Sequence, residues 1–166
     1  MIELPAAHHV TVGWTGRPGE RTFLVQLEDE HVRVTLLAEK GQVAGIAELL
    51  EQLLARVDDA PATDWDRDAM ALREPVEPDW RVGEISAGLD AEGQRFMLEL
   101  IEVGEPDEPR EEVRAFFDRD QARRLAAHAT EQVEQGRPPC PLCSRPIEAD
   151  GSHVCPSTNG HGRLTR

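Results

Sequence analysis

Val32-Arg-Val-Thr-Leu-Leu37 runs through Ala38-Glu-Lys-Gly41 into Gln42-Val-Ala-Gly-Ile46-Ala-Glu-Leu-Leu50-Glu-Gln-Leu-Leu54-Ala-Arg-Val57, and the change of period inside this stretch decides the fold class. The first part has the β-branched content and length of a half-buried strand. In the second, Val43, Ile46, Ala47, Leu50, Leu53, Leu54 and Val57 recur at three- and four-residue steps and share one broad helical stripe. Glu48, Glu51, Gln52 and Arg56 fall mostly off it. Such a stripe needs an apolar surface to cover it, and what precedes it is strand.

Upstream, His9-Val10-Thr11-Val12 alternates as a strand and enters a turn region at Gly13–Gly19. Arg21 to Leu27 follows, with Phe23, Val25 and Leu27 on one face, and Asp29-Glu30 turns the chain. Residues 8–57 therefore read as strand, strand, strand, helix.

Downstream, Asp58 to Asp79 holds eight carboxylates, two arginines and Pro61, Pro75 and Pro78. It reads as an acidic linker or surface excursion, with at most one short helical turn near Trp65–Leu72. Its spacing matches no calcium loop and lacks the glycine of one.

The pattern then returns. Trp80-Arg-Val82-Gly83 echoes Val10-Thr-Val12-Gly13, and Phe96 takes the place of Phe23 in a second alternating run from Gly93 to Leu100. Val113-Arg-Ala-Phe-Phe117-Asp-Arg-Asp-Gln121 matches Val34-Thr-Leu-Leu-Ala38-Glu-Lys-Gly-Gln42 without a gap. A second helix follows, with Asp118 as N-cap and Gln121 three residues later. Ala122, Leu125, Ala126, Ala129 and Val133 form its inner stripe, and Gly136 before Pro138-Pro139 stops it. Ile101 to Glu112 reads as an acidic hairpin loop.

Neither copy alone covers both its sheet and its helix. The expected fold is α+β: two pseudo-repeats of strand-strand-strand-helix forming antiparallel sheet with helices packed on it, plus a small C-terminal zinc knuckle. The body spans 1–136, with repeat one at about 8–57, the linker at 58–79 and repeat two at about 80–136. The tail spans 137–166.

The net charge of −14 argues against sequence-independent binding to phosphate backbones or anionic lipid. Nucleic acid is not an expected partner; the acidic surface suggests a protein partner instead. The tail alone is basic, with Arg137, Arg145, Arg163 and Arg166 against Glu148 and Asp150, but it has no aromatic residue to make a nucleic-acid platform. No apolar run approaches the length of a membrane span, and Met1 to Ala7 lacks the features of a signal peptide, so a cytoplasmic protein is expected.

All three cysteines lie in the tail, as Cys140-Pro-Leu-Cys143 and His153-Val-Cys155. Two thiolates on a Cys-x-x-Cys turn converge on one ion, and zinc asks for four ligands in a tetrahedron. Cys155 supplies the third. The fourth is His153 or His161, with His153 favoured because it is nearer and follows the Asp150-Gly151 turn. A structural zinc is the expected cofactor, since so short a segment with few large apolar groups has no core without a staple. No glutamate sits beside the ligands as a general base, which argues against a catalytic metal. Cys140-Cys143 does not follow a strand and open a helix, which argues against a redox dithiol.

Arg21-Thr-Phe-Leu24, Arg81-Val-Gly83 and, above all, Gly136-Arg-Pro-Pro-Cys-Pro-Leu-Cys143 with His153-Val-Cys-Pro156 and Asn159-Gly160 resemble an uncharacterised actinobacterial family, a domain of unknown function of similar length. The resemblance covers nearly the whole chain. It implies a soluble cytoplasmic protein with a C-terminal cysteine/histidine site and brings no activity or substrate with it.

The leading expectation is a non-enzymatic binding or adaptor module with a structural zinc. The alternative is an enzyme acting on a small phosphorylated metabolite between the two repeats. In that reading Lys40 and its counterpart Arg119, each just before a helix, bind phosphate. His8 and His9 are adjacent on a strand, point to opposite faces and make a poor metal pair.

Overall fold

The computed structural model describes residues 1–17, 19–57, 60–105, 107–135, 140–143, 145, 147 and 153–156. In chain order these form β1 (Ile2–Leu4), β2 (His9–Thr15), β3 (Thr22–Glu28), β4 (Arg33–Ala38), α1 (Lys40–Arg56), β5 (Trp80–Leu89), β6 (Phe96–Glu102), β7 (Glu112–Phe117) and α2 (Arg119–Glu134). The result is a mixed α+β fold: one sheet of seven strands, ordered β1-β7-β6-β5-β4-β3-β2, with two helices.

β2 to β4 form one antiparallel meander and β5 to β7 another, and the parallel pair β4–β5 joins them. At the far margin β1 runs parallel to β7, with Ile2 opposite Val113 and Leu4 opposite Ala115. The Ala7 N–H still bonds the Phe116 carbonyl at 2.9 Å, but the next residue, His8, bonds the Glu28 carbonyl of β3 at 2.9 Å. One short segment thus leaves one end of the strand order and enters the other. It covers the edge that β7 would otherwise present and extends the pairing along β3.

Alternation puts Val10, Val12, Phe23, Val25, Leu27, Val34, Leu36 and Ala38 on the face toward the helices. Val82, Phe96, Leu98, Leu100, Val113, Ala115 and Phe117 continue that face across the second meander. The stripe of α1 (Val43, Ile46, Ala47, Leu50, Leu53 and Leu54) and that of α2 (Ala122, Leu125, Ala126 and Ala129) close over it, in a single core. α1 packs on α2 and β5, while α2 packs on α1 and β2, so each helix lies against the first strand of the other meander.

The helices begin alike. Glu39 and Gln42 form a reciprocal capping box, as do Asp118 and Gln121. Each glutamine then reaches the sheet: Gln42 Nε2 donates to the Val82 carbonyl at 3.0 Å, and Gln121 Nε2 to the Ala7 carbonyl at 2.8 Å. Cross-strand pairing sets Phe23 beside Ala38 and Phe96 beside Phe117. The first strands depart from the echo of residues 80–83 with 10–13. Trp14 pairs with Phe23 and Leu89 with Phe96, so the position matching Trp14 lies well downstream of Gly83, beyond a bulge between Val82 and Glu84.

The acidic segment after α1 is not a free excursion. Residues 60–79 lie as a strap across the β2–β4 face that carries Thr11, Gln26 and Thr35. The Thr11 hydroxyl donates to the Met70 carbonyl. Gln26, fully buried, accepts from the Arg73 N–H at 2.8 Å and donates to the Arg73 carbonyl at 2.8 Å and to Thr35 Oγ1 at 3.0 Å. Asp79 closes the strap by exchanging hydrogen bonds with the Thr35 backbone. Leu72 covers Gly13 so tightly that a Cβ there would lie 2.7 Å from Leu72 Cγ. The carboxylates of Asp64, Asp66, Asp68, Glu74 and Glu77 stay exposed, so charge density described the strap's outer side only. Near Trp65–Leu72 the chain makes a hydrogen-bonded turn at Arg67–Met70 and no helix.

Candidate metal centre

The Cys-x-x-Cys segment folds as a tight turn, with the Cys140 N–H donating to the Arg145 carbonyl at 2.8 Å. Backbone N–H groups of Leu142 and Cys143 donate to the Cys140 sulfur, and that of Arg145 to the Cys143 sulfur. Such amide-to-sulfur bonds aim the thiolates' remaining lone pairs at a common point. Burial raises both thiols, but the amides and neighbouring thiols outweigh it at Cys140, which ends below the ordinary range, while Cys143 ends above it.

His153 and Cys155 come back onto this turn. Cys140 Sγ lies 3.8 Å from Cys155 Sγ, and Cys143 Sγ lies 3.0 Å from His153 Nε2. The four donor atoms all fall within 4.8 Å of one another. Zn–S bonds of about 2.3 Å and Zn–N bonds of about 2.0 Å give tetrahedral edges of roughly 3.8 Å between sulfurs and 3.5 Å between sulfur and nitrogen. The Cys140–Cys155 separation fits the first and is far beyond a disulfide bond of about 2.05 Å, while the Cys143–His153 pair, at 3.0 Å, stands closer than the second and must part slightly to admit an ion. Cys140, Cys155 and His153 are buried, with Cys143 half-buried. Cys140, Cys143, His153 and Cys155 are therefore brought together as a Cys3His cluster that could hold a metal ion. His161, the alternative fourth ligand, lies outside the described residues.

The other expected site residues stay apart from this cluster in the chain. Lys40 and Arg119 are the first residues of α1 and α2, behind the two capping boxes. Lys40 is exposed and Arg119 half-buried, and neither lines the cavities described below.

Two histidines, His9 and His128, are buried in the body. His128 on α2 sits 3.1 Å from the Val12 carbonyl through Nε2, which must therefore carry the proton, and its Nδ1 accepts from Trp65 Nε1 at 3.4 Å. Burial lowers its pKa. His9 is only 4% exposed, and its Nε2 has no hydrogen-bond partner. Burial, reinforced by the Arg73 charge, pushes its pKa down to about 4. His9 lines a cavity of about 340 Å³ between the N-terminal segment, the strap and α2, together with Trp65, Asp64, Met70 and Arg124. The only sequence signal for this place was the His8-His9 pair itself; Trp65 and Arg124 come from segments that no local pattern connects to it.

The chain belongs to the family described as "Protein of unknown function (DUF3090)", whose family model matches residues 3–155. That span contains both meanders, both helices and all four residues of the Cys3His cluster. No curated protein and no solved structure matches the chain. Among the described residues, no helix is long and apolar enough to cross a membrane.

Proposed function

We propose that this protein is a zinc-binding, non-enzymatic binding or adaptor module of the cytoplasm, in which Cys140, Cys143, His153 and Cys155 hold a structural Zn2+. One observation carries this reading: four soft or borderline donors converge within 4.8 Å, and three of their residues are buried. A structural zinc takes four protein ligands and leaves no position open, whereas a catalytic zinc keeps one position for water or substrate. The acidic surface, at a net charge of −14, suits a basic protein partner and not nucleic acid.

The test is elemental analysis of purified protein, which should find about one zinc per chain, as a closed four-ligand site requires. A Cys140→Ser/Cys143→Ser variant should lose it, and full occupancy in that variant would refute the site. A catalytic alternative remains open to test: an enzyme for a small phosphorylated metabolite using Lys40 and Arg119, supported by their equivalent places at the two helix starts. Thermal stabilisation by such metabolites that Lys40→Ala abolishes, with no protein partner recovered in pull-downs, would replace the adaptor reading with it.

A further inference from the structure

Where the N-terminal segment passes from β7 to β3 it leaves space on the side facing α2. The cavity of about 340 Å³ that His9 lines shares His8, Gln121 and Arg124 with a neighbouring one of about 460 Å³, so the two lie side by side along that segment. These volumes fall within the range of small-molecule sites.

Three polar groups on this wall are left without partners. His9 Nε2 is buried and unbonded, and the ring stays neutral near pH 7, able to donate through one nitrogen and accept through the other. The guanidinium of Arg124, a half-buried residue on α2, makes no hydrogen bond or ion pair with any described residue, although the chain holds 32 acidic groups against 18 basic ones. Arg33, Arg73, Arg95, Arg110 and Arg114 all meet a carboxylate.

Asp64 is the third. It lines the same cavity and, with Arg124, an adjoining one, yet the two charges do not meet. The other polar groups on this wall each have at least one partner, His8 reaching Glu28 at 3.5 Å. Asp66 accepts from the N–H groups of Asp68 and Ala69, and Gln121 is spent between the Asp118 N–H and the Ala7 carbonyl. Trp65 and Met70 supply the apolar side.

A cation and an anion that face one space without pairing are complementary to a ligand carrying both signs. We infer that this cavity binds a small zwitterion of the α-amino-acid class, its carboxylate on Arg124, its ammonium at Asp64, and His9 Nε2 hydrogen-bonded to it. The guanidinium fork suits a carboxylate, and Trp65 and Met70 receive the side chain. This site is separate from the Cys3His cluster and does not depend on the zinc reading.

The experiment is calorimetric and thermal-shift titration of the protein as purified with each of the common L-amino acids. For any that binds, the N-acetyl and carboxamide derivatives and inorganic phosphate are compared. The free amino acid should bind saturably, and each derivative, lacking one charge, should bind about tenfold more weakly or worse, as loss of a charged hydrogen bond implies. Arg124→Gln and Asp64→Asn should weaken binding by a similar factor while zinc content and the circular dichroism spectrum are unchanged; Asp64 is exposed, so that variant tests the site without a folding risk. The proposal is overturned if no amino acid binds, if the derivatives bind as well as the parent, or if phosphate binds in its place.

Discussion

At the scale of single residues, His9 and His128 set a pH dependence whose sign is fixed by burial. Both are held below the ordinary imidazole value of 6.5, His9 at about 4, so the folded protein resists a proton that the unfolded chain accepts. Below pH 6.5 the unfolded state therefore binds more protons than the folded one, and stability falls as pH falls through the window down to about 4. Above pH 6.5 the contribution is complete. For His9 the effect between pH 7 and pH 5 is about 2 kcal/mol. Urea unfolding of the wild type and of His9→Gln at both pH values checks this: the variant should lose about 2 kcal/mol less on acidification. Equal losses in the two proteins would show that His9 is already protonated in the fold at pH 5. His128 adds to the same trend but is anchored on both nitrogens, so its replacement also costs packing and two hydrogen bonds.

At the scale of elements, periodicity located the helices and most strands because the apolar residues of each fall on one face, even in β2 to β4, whose other face is covered by the strap. The stripe from Val43 to Val57 and the Asp118/Gln121 cap mark α1 and α2 almost where they lie. The strap escaped that reading. Most of its anchors are backbone groups, the Met70 carbonyl and both Arg73 groups, which leave no trace in the sequence and are met by the Thr11 and Gln26 side chains; Asp79 is held through its own carboxylate and N–H by the Thr35 backbone. Gln26→Leu removes both partners of the Arg73 backbone and the Thr35 hydroxyl's donor. Loss of about 1–3 kcal/mol is expected if the exposed strap rehydrates on lifting. Limited proteolysis should then cut within residues 60–79 before the body unfolds, whereas the wild type is cut there only on global unfolding. Gly13→Ala should loosen the same strap from the other side, because its Cβ would strike Leu72.

At the scale of the whole molecule, β1 was invisible from sequence for a different reason. Three residues carry no usable period, and their partner strand lies more than a hundred positions away, at Val113 to Ala115. Local pattern cannot report a parallel pairing of that separation. The Cys3His cluster was legible because its ligands are chemically rare and close in sequence, although the spacing alone did not choose between His153 and His161. These two facts divide the molecule's stability. Leu4 of β1 is fully buried in the core cluster, while no described residue after Val133 belongs to that cluster. Removing the metal should therefore release the C-terminal segment without melting the body. A strong chelator is expected to make residues 140–155 protease-accessible and to leave the body's melting temperature within about 2 °C of the untreated protein, a shift corresponding to about 0.5–1 kcal/mol. Leu4→Ala should do the reverse, lowering stability by about 2–5 kcal/mol while the metal stays bound. If chelation instead abolishes the body's cooperative transition, the metal is part of the core's closure, and the tail must pack on the sheet as firmly as the strap does.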